Sequence, residues 1–282
     1  MNISVLGAES LGIRSYCTFV ETQDVKIIID PGCALGTDRF NLPPHKTEIL
    51  ELWSVWQNIN LNLKKSDIVV ITHYHYDHHH YRNCGLYKNK IVFLKDFGRV
   101  NQRQKSRAEV LLKYIGGISK VIIADEKEFI FGNTRISFSP PLAHGYGKED
   151  VNIMAVLIED GRSSLLYTSD VSGMIDKKLI SFLKNRIVET FILDGFPTYL
   201  LNSAVKRKWL YESKEKLIYV LESCKVKNLI IDHHSSRDIR WTEFYLDVFS
   251  LKSLNFCGTA AEFMGQKPKY YEAMRKELFS KK

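Results

Sequence analysis

Residues 73–80 read His-Tyr-His-Tyr-Asp-His-His-His and follow an apolar, strand-like run. Imidazole and carboxylate groups packed this densely behind a strand indicate a metal site, because neutral imidazole with carboxylate suits zinc, iron or manganese. A strand presents alternate side chains to one face, so we expect His73 and His75 to point the same way. Asp77 and His78 follow, where the strand gives way to a turn. The cluster therefore predicts two coordination sets, one from the strand end and one from the turn.

The other histidines support this interpretation. The chain has nine histidines, and His144, His233 and His234 also follow apolar runs, which leaves His45 without such a place. A solvated histidine-rich loop is the alternative for the cluster. A tract that arises from composition alone would explain neither the spacing nor the strand before it.

Composition limits the class of protein. The chain has 282 residues, 45% of them hydrophobic and 12% aromatic, which is enough for one large or two small folded domains. No apolar stretch approaches the ~20 residues needed to span a bilayer, and the N-terminus lacks the pattern of a signal peptide. The five cysteines are scattered without a C-x-x-C pair, which fits a reducing compartment. We expect a cytoplasmic protein that does not associate with membranes.

The charge balance favours an anionic substrate. The formal net charge is +8, which suits a nucleic acid or an anionic small molecule such as a phosphorylated metabolite. Residues 95–113 carry several basic side chains, for which a solvated helix face is favoured over a phosphate-binding surface. No aromatic residue lies between its basic residues from Arg99 to Lys113 to stack bases. Nothing in the length or patterning specifies an oligomeric state.

Short apolar runs alternate with amphipathic segments along the chain. Predicted strands lie at 2–6, 15–21, 25–30, 67–72, 90–95, 119–123, 128–131, 134–139, 152–159, 164–169, 189–193 and 227–232. Predicted helices lie at about 45–58, 99–115, 176–185, 203–224, 241–249 and 260–280. Many strands mixed with helices predict α/β layers with partly antiparallel sheets. No linker divides the chain, so we expect one catalytic domain over residues 1–282.

Ionisable residues follow the ends of several predicted strands. Such residues converge on one edge of a sheet sandwich, where a site can be built. Apart from the cluster at 73–80, they are Asp30, His144, Asp170, Asp194 and the run Asp232-His233-His234. Because these positions extend from 30 to 234, a single site would draw on nearly the whole chain.

The stretch Thr-His-Tyr-His-Tyr-Asp-His at 72–78 resembles the T-H-x-H-x-D-H signature of the metallo-β-lactamase superfamily. Asp30, His144, Asp170 and His233 occur in the order of the other motifs, so the resemblance covers about residues 1–235. It implies a four-layer αββα sandwich with a two-metal site between the sheets. The whole chain looks most like an archaeal branch of that superfamily, which implies the fold and the metals but no particular substrate.

The resemblance also implies a ligand set for two divalent ions, zinc being favoured and iron or manganese the alternatives. The implied ligands are His73, His75 and His144 for the first metal, Asp77, His78 and His233 for the second, and Asp170 as a bridge. Asp30 would orient a metal-bound histidine from behind. His75 stands where flavo-di-iron relatives carry Glu, which favours hydrolysis over oxygen chemistry.

The final motif, His233-His234-Ser235-Ser236-Arg237, resembles the H-F-S-x-R stretch of ribonuclease Z. In that alignment His233 is the ligand and His234 a neighbour. Arg237 either grips a substrate phosphate or carboxylate with its planar fork, or forms a salt bridge with Asp238 or Glu243.

Several other residues keep two interpretations. His79 either touches substrate or supports a ligand, or it begins a solvated helix. Asp194 either supports a ligand or touches substrate, or it belongs to an ordinary turn. Residues 33–66 form an insertion whose apolar helical stripe, which includes Trp53 and Trp56, is either core packing or a lid over the site. Residues 240–282 are expected to form a C-terminal helical extension.

The expected chemistry is hydrolysis. Two adjacent divalent ions lower the pKa of a water from about 15.7 to about 7, and the hydroxide so formed attacks phosphorus or a carbonyl carbon. We expect Asp77 and Asp170 to be catalytic, and a phosphodiester to be the substrate of a nuclease-like enzyme. The alternatives are a thioester, lactone or other carboxyl-ester hydrolase, and a non-catalytic binding module with structural metals.

Overall fold

The computed structural model describes residues 1–81, 83–98, 100–145 and 151–280. Within these residues the first sheet is formed by the N-terminal part of the chain, and its strands lie side by side in chain order. They are β1 (Asn2–Val5), β2 (Thr18–Glu21), β3 (Lys26–Ile29), β4 (Ile68–Ile71), β5 (Ile91–Leu94) and β6 (Lys120–Ile123). The pairs up to β3 are antiparallel and those from β3 to β6 are parallel.

The second sheet follows in the chain and has the order β15-β14-β13-β12-β11-β8-β7. Its strands are β7 (Glu128–Phe131), β8 (Thr134–Phe138), β11 (Val156–Glu159), β12 (Ser164–Tyr167), β13 (Thr190–Leu193), β14 (Asn228–Ile231) and β15 (Phe256–Gly258). A separate antiparallel hairpin consists of β9 (Leu142–Ala143) and β10 (Asn152–Ile153). The pairs from β12 to β15 are parallel, so the ends of β12, β13 and β14 meet at one edge.

The helices flank the sheets. The long ones are α1 (Lys46–Lys65), α2 (Gln102–Ile115) and α4 (Arg207–Ser223), and the short ones are α3 (Lys177–Phe182), α5 (Leu246–Phe249), α6 (Ala260–Phe263) and α7 (Arg275–Ser280). In the described ranges, no helix combines the length and apolar character needed to cross a membrane.

Three apolar cores separate four layers. Alternate side chains of each strand face opposite sides, so Val70 points between the sheets while Val69 points toward α1 and α2. The core between the sheets joins residues such as Phe93 of β5 to Tyr167 of β12. On the far side, Phe191 of β13 packs in the core that includes α4. The predicted αββα sandwich is confirmed.

Most predicted elements occur close to their expected bounds, with a few differences. Residues 152–159 divide into β10 and β11, and β9 and β15 were not expected. The predicted helix 260–280 is wrong: α6 ends before Gly265, whose φ of 69° is left-handed, and Pro268 follows. A left-handed glycine and a proline are the ordinary signals that end a helix. Part of the C-terminal extension is therefore not helical, and β15 adds a strand to the second sheet.

The C-terminal segment is joined to the start of α1 by a buried arginine. Arg275 is fully buried, and its guanidinium donates to both carboxylate oxygens of Glu48, at 2.9 and 2.7 Å. It also donates to the carbonyls of Leu42 and Gly36. Glu48 in turn accepts from the backbone of His45 in the capping box of α1.

We expect Arg275→Ala to lower the free energy of unfolding by about 3–5 kcal/mol, because it leaves the Glu48 carboxylate buried without its partner. Urea denaturation measures this loss. Arg240→Ala is the matched control, since Arg240 is 69% exposed and its replacement should change stability little. Equal stability of the two variants would show that the buried pair does not hold the C-terminal segment.

Candidate metal centre

The histidine cluster lies in a turn at the end of β4. The strand ends at Ile71, so the expectation that the pleat of a strand aligns His73 with His75 is wrong. The turn instead folds back on itself, because the amides of His78 and His79 both donate to the carbonyl of His75, at 3.0 and 3.1 Å. His73 and His75 still converge, with Nε2 of His73 2.9 Å from Nδ1 of His75.

Asp30 holds this turn from behind. It is fully buried, and its backbone has a φ of 49° directly after β3. Its carboxylate accepts from the amide and the hydroxyl of Thr72, at 2.8 and 2.6 Å. Oδ2 also lies 2.8 Å from Nδ1 of His78 and accepts from the hydroxyl of Tyr167 at 2.8 Å. The structure thus places Asp30 where it orients His78, as the resemblance implied, and brings in Thr72 and Tyr167 as further partners.

Asp170 lies at the centre of the cluster, after β12. Its Oδ2 faces Nε2 of His144 at 3.3 Å and Nε2 of His73 at 3.8 Å. Its Oδ1 faces Nε2 of His78 at 3.1 Å and Nε2 of His233 at 3.4 Å. The two oxygens of this carboxylate therefore face two different groups of imidazoles.

The unsatisfied atoms of the cluster fit a cation. Nε2 of His78, Nε2 of His144 and Oδ1 of Asp170 are buried and make no hydrogen bond within the described residues. Buried polar atoms without partners are rare unless a ligand completes them. Ligand atoms within 4.8 Å of one another occur in four overlapping groups of the described residues. We call His73, His75, His144 and Asp170 the first set and Asp77, His78 and His233 the second set; the other two groups are Asp30, His73 and His78, and Asp170, His233 and His234. Burial alone would raise the pKa of Asp170, but His78 and His233 hold it well below its usual range, so the carboxylate is ionised.

His233 is held between two charged side chains. Its Nδ1 lies 2.7 Å from Oε2 of Glu9, and Nη2 of Arg237 lies 3.2 Å from its Nε2. The contact with Glu9 fixes the ring so that Nε2 points toward Asp170. Glu9 was not expected from the sequence, although an acidic residue shortly after β1 follows the same rule as the other strand ends.

His234 belongs to the same cluster. Its Nδ1 lies 2.7 Å from Oδ2 of Asp194, and its Nε2 lies 3.8 Å from Oδ2 of Asp170. Burial lowers the pKa of His234 well below its usual value, which leaves the ring neutral. Asp194 also accepts from the amides of Ser172 and Gly173. His234 is thus more than a sequence neighbour of His233, and Asp194 is the residue that orients it.

Three predicted residues take supporting positions. Oδ2 of Asp77 lies 3.8 Å from Nε2 of His233, at the rim of the second set. His79 is buried, and its Nδ1 bonds to the carbonyl of His75 at 3.0 Å, so it supports the turn. Arg237 pairs with Glu9 at 2.6 Å. The salt bridges expected for Arg237 with Asp238 or Glu243 are not among its contacts in the described part of the chain.

Comparison with known proteins agrees with this geometry. A family model described as "Metallo-beta-lactamase superfamily" matches residues 12–79. A UPF0282 protein of Korarchaeum cryptofilum is 38% identical over 99% of this chain and 94% of its own length. The chain belongs to the UPF0282 family. A UPF0282 protein of Saccharolobus islandicus is 37% identical over 99% of this chain and 93% of its own length. The resemblance to an archaeal branch of the metallo-β-lactamase superfamily is confirmed.

Solved structures share the fold at low sequence identity. Unliganded yeast PDE1 superposes with a TM-score of 0.58 at 14% identity, covering 91% of this chain and 96% of its own. The short form of human tRNase Z superposes with a TM-score of 0.50 at 11% identity, covering 83% of this chain and 92% of its own. The fold and the His/Asp cluster together indicate that this UPF0282 protein binds divalent metal and belongs to a superfamily of metal-dependent hydrolases.

We expect His144→Ala to lose bound metal while the protein stays folded, because it removes an imidazole from the first set and leaves the αββα core intact. Elemental analysis of the purified protein measures the metal, and circular dichroism checks the fold. His45→Ala is the matched control, since His45 caps α1 and belongs to neither set. Full metal content in His144→Ala would remove His144 from the site.

Asp30→Asn should weaken metal binding by about 10–100-fold, because a neutral amide orients His78 less strongly than a carboxylate does. Asparagine tolerates the left-handed φ of position 30, so backbone strain is not introduced. Competition with a chelating dye measures the affinity. Asp160→Asn, in a turn between β11 and β12, is the control, and an unchanged affinity in Asp30→Asn would show that the contact does not tune the metal.

Proposed function

We propose that this UPF0282 protein is a phosphodiester hydrolase that uses two divalent ions, with zinc favoured and iron or manganese as alternatives. The observation that carries the proposal is the position of Asp170, whose two oxygens face two separate groups of imidazoles. A carboxylate in that position is suited to bridge two ions and to fix their separation. Five or more imidazoles around it favour zinc, although imidazole alone also suits iron.

When bound there, paired divalent ions would supply Lewis acidity and a water of lowered pKa, the chemistry that hydrolysis of a phosphodiester requires. The protein's own groups complete the arrangement. Asp170 and Asp77 would hold divalent ions with their negative charge, and His78 and His233 keep the pKa of Asp170 well below its usual range although burial alone would raise it. Glu9, Asp30 and Asp194 hold three imidazoles by Nδ1, so that each presents Nε2 to the cluster without having to reorganise.

A phosphodiester is favoured over a carboxyl ester by charge and by the final motif. The net charge of +8 draws anions toward the protein, and the His233–Arg237 stretch resembles that of ribonuclease Z. The fold similarity to yeast PDE1 and human tRNase Z is compatible with this choice. Thioesters and lactones would be served by the same metal centre, so they are the competing substrates in an assay.

Hydrolysis of bis-p-nitrophenyl phosphate before and after chelation, with metal content measured on the same sample, tests the proposal. We expect about two metals per chain, turnover that the chelator abolishes, and recovery when metal is restored. His144→Ala should be inactive, while His45→Ala should retain activity. If a fully metal-loaded protein cleaves acyl thioesters or lactones but neither this diester nor labelled RNA, the phosphodiester proposal is wrong.

A further inference from the structure

We call the turn that follows β4 and carries the histidine cluster, residues 72–81, the ligand turn. A cavity of about 330 Å³ opens between α1 and the end of this turn. Its lining is apolar and aromatic, consisting of Cys33, Leu52, Trp53, Trp56, His80 and Asn83. We call it the aromatic cavity. The two tryptophans of the 33–66 insertion therefore differ in their surroundings. Trp56 packs against the edge of the core, whereas Trp53 is 61% exposed. An exposed tryptophan on a cavity wall is more typical of a binding surface than of a core.

Aromatic rings continue from the aromatic cavity along the surface. The ring centroids of Trp56 and His80 are 4.5 Å apart. Those of His80 and Tyr81 are 5.5 Å apart, with the planes only 10° from parallel. Tyr81 then stacks on Tyr114 of α2 at 6.2 Å and lies 5.8 Å from Tyr76. Rings from α1, the ligand turn and α2 thus form one continuous row, of which Tyr76 and Tyr114 are exposed.

The row lies next to the metal centre. Tyr76 and His80 flank Asp77 and His78 in the same turn. The backbone of Gly32, which precedes a lining residue, packs so closely on His78 and His79 that a Cβ there would overlap them.

Basic side chains of α2 lie near the aromatic row. The guanidinium carbon of Arg107 lies 4.4 Å from the ring centroid of Tyr76, a cation–π contact. Arg103 and Lys105 are exposed on the same helix, α2. Helix α2 itself contributes one ring, Tyr114, in its last turn. The fold adds rings from α1 and from residues 76–81, so the combination of rings and positive charge that binds nucleotides exists only in three dimensions.

We propose that the aromatic cavity binds the nucleobase of a nucleotide whose phosphodiester lies at the metal centre. Every base offers a flat π-face to an aromatic ring, and the cations of α2 suit the phosphates that follow along a strand. This inference names nucleotides as the substrate class of the proposed phosphodiesterase. The position of the phosphodiester at the metal centre rests on the proposed function, whereas binding of the base does not depend on turnover.

The test compares two ligands that differ by the base alone. Calorimetry on the metal-loaded protein measures the affinity for adenosine 5′-monophosphate and for ribose 5-phosphate. We expect the nucleotide to bind about tenfold more tightly or better, within the range that base–aromatic stacking gives. A short single-stranded oligonucleotide forms the third arm: tighter binding than the mononucleotide points to a nucleic-acid end, and equal binding to a free nucleotide.

Two variants locate the base. Trp53→Ala should remove most of the tenfold preference while the affinity for ribose 5-phosphate stays unchanged. Trp56 also packs on the core, so it is replaced by leucine, which keeps apolar volume but removes the ring. Trp56→Leu should likewise reduce the preference for the nucleotide. Tyr219→Ala, an exposed ring on α4 in the opposite helical layer, is the matched control and should retain the preference.

The outcomes separate this inference from the proposed function. Equal affinity for the two ligands, or a preference that survives both tryptophan substitutions, overturns the nucleobase site even if diesters are cleaved. A tryptophan-dependent preference in a protein that cleaves no phosphodiester keeps the site and overturns the proposed function. Loss of affinity for both ligands in Trp53→Ala would indicate a general disturbance rather than loss of stacking, and would also count against the site.

Discussion

The carboxylate of Asp30 connects the first sheet, the turn that holds the histidine cluster and the second sheet, which together form the candidate metal centre. It follows β3, accepts from Thr72 directly after β4, orients His78 in the turn that holds the histidine cluster, and accepts from Tyr167 in the second sheet. A buried carboxylate is unfavourable without such donors, and here its bonds come from both sheets and from the turn between them. The same contacts that satisfy the charge therefore fix the distance between the sheets at the site.

This arrangement recurs around the cluster. Glu9 after β1 holds His233, and Asp194 after β13 holds His234, each through Nδ1 and each at 2.7 Å. Three strand ends thus contribute carboxylates that orient imidazoles, and a fourth contributes Asp170, which those imidazoles face. The ring directions are set by protein contacts, so a bound cation would meet ligands that are already in place.

The two sides of the histidine cluster differ in their chemistry. On one side lie the buried carboxylate–histidine pairs, which would hold divalent metal. On the other side lie exposed rings and the cations of α2, which have no role in holding metal. Proteins seldom leave large aromatic side chains exposed beside a polar centre unless a ligand uses them. The division suits a substrate with a reactive anionic group and a flat apolar part.

The sequence by itself determined the local features: the ligand turn, the strands, and the order of the ionisable residues at strand ends. Spacing and periodicity predicted α/β layers with partly antiparallel sheets, and the resemblance to the metallo-β-lactamase superfamily implied the four-layer sandwich. The sequence did not determine the break in the C-terminal helix, the partner of Arg237 or the role of Glu9, which lies 224 positions from His233. Only the tertiary structure decided which distant side chains meet, because burial selects partners by space and charge rather than by position in the chain. The aromatic row arose in the same way, from three segments that show no common pattern.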